Sequence, residues 1–330
     1  MASLPLWIWV AMLLSMLLPN VHAGHPTWET ARFSTPDWIS IRPWEADTHL
    51  WPDAILPFCF DSDANFEKYR PRIESAFDLW YAAGLPNKLR FRYPTQEACE
   101  EYPYVTILVR DTPSMMTATT GVSVPTVGDD GYIPAAGPPT MYVSVEEQDT
   151  WEDNIRKIAH LIGHLFGLHH EHQTPSFWNP NTRDSRQFDF WCEYLADFEK
   201  KTKQLTYEER WGTVGICQDR TAAILSGFSA ANFLPLEANT YFTDAQWWST
   251  PDWNSIMIYS SYVGGAPDRQ VLQKANGGII NTNYVPSAKD VAGLKFLYTT
   301  GIYENPLSPF FNNPLSPYYG TFRMYNGCNE

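Results

Sequence analysis

The sequence predicts an α+β fold, and three observations predict it. Runs rich in β-forming residues fill much of the stretch before residue 150. Two segments, 64–83 and 150–166, carry apolar residues at helical spacing. Finally, the 330 residues are 44% hydrophobic and 18% charged, a globular composition of a length that suits one large two-lobed domain or two smaller ones.

In chain order, residues 6–18 (LWIWVAMLLSMLL) form a single apolar run too short to span a bilayer comfortably. Pro19 and Asn20 break it, and Val21-His22-Ala23 offers small residues for cleavage. Residues 1–23 therefore read as a secretory signal peptide. The opening MASLP carries no Lys or Arg, so an uncleaved anchor is the alternative. Residues 24–50 bear Pro and Trp without periodicity and read as a leader or short pro-segment.

WPDAILPFCFD (51–61) is the first strand expected. A helix follows over 64–83, with Ile73, Phe77, Leu79 and Trp80 on its apolar face and Pro71 limiting its start. LRFRY (89–93), VTILVR (105–110) and TMYVSVEE (140–147) read as strands, and VSVPTV (122–127) as an edge strand because it contains Pro125. The helix over 150–166 has Thr150 as N-cap and Asp153 three residues on; Ile155, Ile158, Ile162, Leu165 and Phe166 form its apolar face. Gly163 inside it is read as room for a passing backbone, and Gly167 as its positive-φ terminator. FWCEYLADFEKK (190–201) reads as a helix, 202–250 as loop-rich, and SAKDVAGLKFLY (287–298) as a late helix capped by Ser287. The last residues, 301–330, repeat NPLSPFFN as NPLSPYYG and read as an extended tail.

The net charge of −14, without any Lys/Arg-rich run, argues against nucleic acid as a partner. Beyond the signal peptide no stretch is long and apolar enough for a membrane span, so no membrane partner is expected after cleavage. Five cysteines in an oxidising compartment leave one over. Chain order suggests Cys59–Cys99 and Cys192–Cys217, with Cys328 free.

Residues 160–172, HLIGHLFGLHHEH, hold five of the eight histidines. On a helix, His160 and His164 share one face, about 5–6 Å apart at Cβ. Gly167 lets the chain turn so that His170 can return to the same ion. Three neutral imidazoles leave one position of a tetrahedral zinc open, which is the arrangement of catalytic rather than structural zinc. His169 and His172 fall off the spacing and read as groups behind the ligands or exposed.

This stretch resembles the metzincin motif, H-E-x-x-H-x-x-G-x-x-H, and Glu171 after the third histidine resembles its astacin branch. NSIMIYSSY (254–262) is similar to the astacin Met-turn in Ser255, Met257 and Tyr259, with Ile258 in place of the usual histidine. The resemblance spans about 51–298 and implies an astacin-like zinc metallopeptidase domain over 51–300. It would have a mixed sheet and two long helices in the upper lobe, an irregular lower lobe, and one zinc ion in the cleft. It also implies endopeptidic hydrolysis of proteins, a structural place for Met257 beneath the metal, Tyr259 as an additional movable ligand that steadies the transition state, and a structural role for Glu171 in holding the mature amino terminus. The F-x-G-D latency motif of the family does not occur in 24–50.

One position departs. The family's glutamate takes a proton from the attacking water and returns one to the leaving amine. That position here is Leu161, which does neither. Three readings stand: a secreted zinc-binding relative that binds proteins or peptides with impaired hydrolysis, a working peptidase with another base, and a metal-free structural or peptide-binding domain.

Overall fold

The computed structural model describes residues 48–113, 115–123, 126–128, 131–133, 138–178, 186–236 and 250–299. The segments read as signal peptide (1–23) and repeated tail (301–330), nearly all of that read as leader (24–50), Pro125 and Cys328 lie outside them.

The strands are β1 (Thr48–His49), β2 (Ile55–Phe60), β3 (Arg90–Arg92), β4 (Ile107–Asp111), β5 (Thr117–Ala118), β6 (Val122–Ser123), β7 (Thr126–Gly128), β8 (Gly131–Ile133), β9 (Thr140–Val143), β10 (Phe188–Phe190) and β11 (Leu272–Lys274). The α-helices are α1 (Asp63–Ala82), α2 (Gln96–Glu101), α3 (Trp151–Leu165), α4 (Phe198–Thr202), α5 (Tyr207–Trp211), α6 (Arg220–Ser226) and α7 (Ala288–Thr299). The main sheet has the order β3-β2-β4-β9-β5. Its first four strands run parallel and β5 runs antiparallel along the edge, so the sheet is mixed and the fold is α+β. Among the described residues no helix is long and apolar enough to cross a membrane.

Two hydrophobic cores divide the chain. The upper one gathers β2, β4 and β9 with α1, α3 and α7, and includes Phe58, Trp80, Val109, Ile162 and Leu294. The lower one forms around Phe177, Phe188, Phe228, Phe233 and Val271. Met257 belongs to the upper core and the adjacent Ile258 to the lower. The turn at Met257 therefore lies on the seam between the two cores.

Helix α1 starts ahead of its expected boundary and runs through Pro71. Ser62 caps it, accepting from the Asn65 amide at 3.3 Å. Pro71 is exposed, so the carbonyl that its missing amide leaves free can face water. The buried stripe is Tyr69, Ile73, Ala76, Phe77 and Trp80, with Leu79 only partly covered. The Trp80 indole donates to the Ala159 carbonyl at 2.9 Å, which fixes α1 against α3.

Helix α3 has the expected capping box: Thr150 Oγ1 accepts from the Asp153 amide, and the Asp153 carboxylate accepts from the Thr150 amide. Its five expected apolar residues are all buried. Helix α7 is likewise closed by Ser287, whose Oγ accepts from the Asp290 amide at 3.0 Å, and it buries Val291, Leu294, Leu297 and Tyr298. It is a third helix of the upper lobe beyond the two long ones expected.

The helix expected over 190–201 does not form. Phe190 instead pairs with Leu272 in the β10–β11 ladder, and the Trp191 amide donates to the Val271 carbonyl at 2.8 Å. A short 3-10 turn, Cys192–Tyr194, and the five-residue α4 follow. Tertiary pairing here overrides a helical pattern. The strand expected over 140–147 ends at Val143, where the chain turns and the Asp149 amide donates to the Glu146 carbonyl at 3.1 Å. Between 202 and 236, read as loop, α5 and α6 appear. Both expected disulfides are present, Cys59–Cys99 across 40 residues and Cys192–Cys217 across 25. In a chain-entropy account each contributes about 3–4 kcal/mol.

Candidate metal centre

Helix α3 places His160 and His164 one turn apart on the face toward the seam. The helix then stops within two residues. Gly167, at φ 108°, is in the left-handed region, its amide donates to the His164 carbonyl at 2.7 Å, and the Leu168 amide donates to the Gly163 carbonyl at 2.9 Å. Two further orphan carbonyls at this end are met from far away: the Trp51 indole donates to the Leu165 carbonyl at 2.7 Å, and the Tyr298 hydroxyl to that of Phe166 at 3.2 Å. This reversal delivers His170 beside the other two imidazoles.

The three Nε2 atoms lie 3.3 Å (His160–His170), 3.1 Å (His160–His164) and 3.1 Å (His164–His170) apart. These are not hydrogen bonds among the rings, because each ring spends its other nitrogen on an acceptor. His160 Nδ1–H donates to the Ile256 carbonyl at 2.8 Å, His164 Nδ1–H to the Leu168 carbonyl at 2.8 Å, and His170 Nδ1–H to Gln173 Oε1 at 2.9 Å. With neutral rings in that tautomer, three bare lone pairs face one point. Tetrahedral zinc with 2.0–2.1 Å bonds needs nitrogens about 3.3 Å apart. The donor set, its spacing and its tautomers thus fit a metal ion, and His160, His164 and His170 form a cluster able to bind one. Burial above all holds all three imidazoles below their usual pKa, His164 at about 4, so they are neutral near pH 7.

The turn beneath is held by a buried carboxylate. Asp290 at the start of α7 accepts from Ser255 Oγ at 2.6 Å and from the Ile256 amide at 2.9 Å; Ser255 Oγ in turn accepts from the Met257 amide at 2.9 Å. Burial pushes the Asp290 carboxyl up to about 6 against these donated bonds. This brace sets the Ile256 carbonyl that orients His160. It also seats Met257 directly under Gly163, where an added Cβ would meet Met257 Sδ at 2.5 Å and Trp80 Cζ2 at 3.3 Å. The glycine therefore makes room for two side chains, not for the passing backbone expected.

Glu171 is 4% exposed. Its amide donates to the Met257 carbonyl at 3.1 Å and its Oε1 accepts from the Asp252 amide at 2.8 Å. Burial, with Asp290 and Asp252 adding to it, pushes its pKa up to about 8. Tyr259 is half-buried among aromatic rings, its own ring 4.3 Å from that of His170 and 6.1 Å from that of His160. Burial raises its phenol pKa, so the ring stands neutral beside the cluster.

His169 and His172 are buried, which excludes the exposed alternative for them. His172 Nε2–H donates to the Asn232 carbonyl at 2.9 Å, and its Nδ1 accepts from the Tyr259 amide at 3.4 Å. It ties the 3-10 turn at Asn232 to the turn at Tyr259. Gln173 escaped the sequence reading. Its side chain receives His170, and its amide group donates to the Ala231 and Leu234 carbonyls at 3.1 and 3.0 Å. A glutamine three residues after a histidine has no motif value by itself, so nothing pointed to it.

Leu161 is 2% exposed and lines two small cavities on either side of His160. One, of about 190 Å³, is shared with Met116, Ile256, Val263 and Arg156. The other, of about 90 Å³, is shared with His164, His169, His170 and Arg220. Tyr259 borders both.

No family model matches the chain, and no curated protein matches it. Solved structures do show similarity. One is high choriolytic enzyme 1, a hatching enzyme zinc-protease from Oryzias latipes (medaka fish). It is 17% identical with a TM-score of 0.44, over 81% of this chain and 98% of that one. Two are structures of myroilysin. The first is 16% identical with a TM-score of 0.39, over 76% of this chain and 96% of the other. The second is 14% identical with a TM-score of 0.38, over 84% and 97%.

Proposed function

We infer that this chain is a secreted, astacin-like zinc protein that binds proteins or peptides in the cleft between its lobes and hydrolyses them poorly. The observation that carries the metal half is the convergence of three Nε2 lone pairs whose rings are all locked by Nδ1–H donation. His160, His164 and His170 would hold one zinc ion, Met257 would seat the helix above it, and Tyr259 would lie within reach as a further ligand. Bound zinc supplies Lewis-acid polarisation of a carbonyl and a lowered pKa for water.

The residues here bind and orient. What they lack is a base at the reacting edge of the cluster. Leu161 occupies the family's base position and carries no proton acceptor. General acid–base assistance is worth about 10²–10⁴-fold, so its loss leaves slow hydrolysis rather than none. Glu171, the carboxyl next to His170 in sequence, is committed to the Asp252 amide and does not line either cavity. Secretion is supported by the apolar run over 6–18 and by two disulfides.

Metal analysis of purified protein tests the first half: one zinc per chain is expected, lost in His164→Ala, and zinc far below one rejects the site. A peptidase assay tests the second. Chelator-sensitive proteolysis at ordinary enzyme rates would overturn the impaired reading in favour of a working enzyme with another base.

A further inference from the structure

The repeated tail, 301–330, is a sequence motif that the proposed function does not use. Its two units, NPLSPFFN and NPLSPYYG, each carry a P-x-x-P spacing, Pro306 with Pro309 and Pro314 with Pro317. That spacing favours polyproline II, whose backbone makes no internal hydrogen bonds. Such a segment offers flat prolyl rings and bare carbonyls, and it binds ledges of aromatic rings that also carry hydrogen-bond donors.

The edge of the β10–β11 ladder presents a ledge of this kind. Trp191 and Tyr194 stack with ring centroids 5.8 Å apart and planes at 19°, and the Arg269 guanidinium lies over the Tyr194 ring at 5.1 Å. Trp191 is nonetheless 40% exposed, and Tyr262 is 47% exposed. With one face on Tyr194, the indole leaves its other face to solvent. A line of side-chain hydrogen bonds joins the two exposed rings. Trp191 Nε1–H donates to Gln273 Oε1 at 3.3 Å, Gln273 Nε2 to Gln270 Oε1 at 2.7 Å, and Gln270 Nε2 to the Tyr262 hydroxyl oxygen at 2.9 Å. The line runs in one direction, so it leaves the Tyr262 O–H and the second N–H of each glutamine amide unspent. An exposed indole is thus held in one orientation beside free donors, which a merely solvated tryptophan does not require.

We propose that this ledge receives the chain's own tail. A PLSP unit lies with its prolines on Trp191 and Tyr262 and its carbonyls on the Tyr262 hydroxyl and the glutamine amides. Helix α7 ends at Thr299. At about 3.1 Å per extended residue, the first unit starts about 19 Å beyond that point and the second about 43 Å, against a radius of gyration of about 18 Å for a domain of about 250 residues, so the tail is long enough to reach either lobe. Glu304, just ahead of the first unit, gives the tail a charge opposite to that of Arg269. Val263, next to Tyr262, lines the larger cavity beside His160, so a docked tail lies along one lip of that cavity. The docking needs no metal.

The test compares the native full chain with a variant carrying Pro306→Ala, Pro309→Ala, Pro314→Ala and Pro317→Ala, all outside the two cores. A fluorescent peptide ENPLSPFFN is titrated into each and followed by anisotropy. It is expected to bind the variant about tenfold tighter, because in the native chain a tethered ligand at an effective concentration on the order of millimolar competes for the ledge. In the variant, Trp191→Ala should weaken the peptide about thirtyfold, and Tyr262→Phe, which removes only the hydroxyl, about threefold. Equal affinity for native chain and variant, or an affinity that neither ledge substitution moves, overturns the proposal. A native chain that dimerises in sedimentation while the variant stays monomeric overturns the intramolecular arrangement and puts the tail of a second copy on the ledge. Absence of peptide binding to both chains also overturns it, and Trp191-dependent binding of an N-acetylglucosamine trimer would then reassign the ledge to a glycan.

Discussion

A Cβ added at Gly163 would stand 2.5 Å from Met257 Sδ, so the helix glycine and the turn methionine are a fitted pair. Gly163→Ala gains about 1 kcal/mol of helix propensity, and overpacking costs about 1–3 kcal/mol. Net destabilisation by denaturant unfolding is expected, with weaker zinc binding because Met257 follows the Ile256 carbonyl that orients His160. Combining it with Met257→Ala should cost less than the two single changes added together.

Leu161→Glu returns a proton acceptor to the edge of the cluster. If position 161 is the sole catalytic defect, peptide hydrolysis should rise by about two to four orders of magnitude with zinc content unchanged. A variant that folds and holds one zinc but gains no activity would show that the cleft has diverged elsewhere too.

Gln173→Ala removes the acceptor that fixes the tautomer and angle of His170. Loss of such a partner typically lowers metal affinity about 10–100-fold. Competition with a calibrated chelator reads this directly, and an unchanged affinity would mean that the backbone alone orients the ring.

The Glu171 carboxyl titrates at about 8 in the fold against an ordinary value of 4.5. Its folded pKa is raised, so the fold binds the extra proton: the stability contribution is full below about pH 4.5 and is lost as pH rises through about 8. Glu171→Gln, an isostere of the protonated acid, should flatten that part of the stability-versus-pH curve and be tolerated near neutrality. Glu171→Ala should cost about 1–3 kcal/mol by leaving the Asp252 amide unpaired. Equal slopes for the native chain and Glu171→Gln between pH 5 and 8.5 would contradict this.

What was legible in the sequence was local. Helix α3 announced itself through the Thr150–Asp153 box and an unbroken apolar stripe, and the three histidines through spacing on that helix and the glycine after it. The partners that fix the rings were not legible. The Ile256 carbonyl lies 96 residues from His160, and Asp290, which holds it, a further 34 along. Such contacts leave no periodic trace. Pro71 misled because proline is usually a boundary, yet on the exposed face of a long helix its cost is met by water. The lower lobe misled at 190–201 because a β-ladder with residues some 80 positions away outweighed the local pattern.

The end of α3 is closed by Trp51 and Tyr298, and these two meet each other across 247 residues, the Trp51 amide donating to the Tyr298 hydroxyl at 3.3 Å. On the ribosome Trp51 therefore waits for Tyr298. Loop closure over such a distance must precede the contacts that reward it, so the reversal that brings His170 to its partners is secured late, once residue 298 has emerged. A nascent chain cut before α7 would carry all three histidines yet lack both the Tyr298 latch and the Asp290 brace.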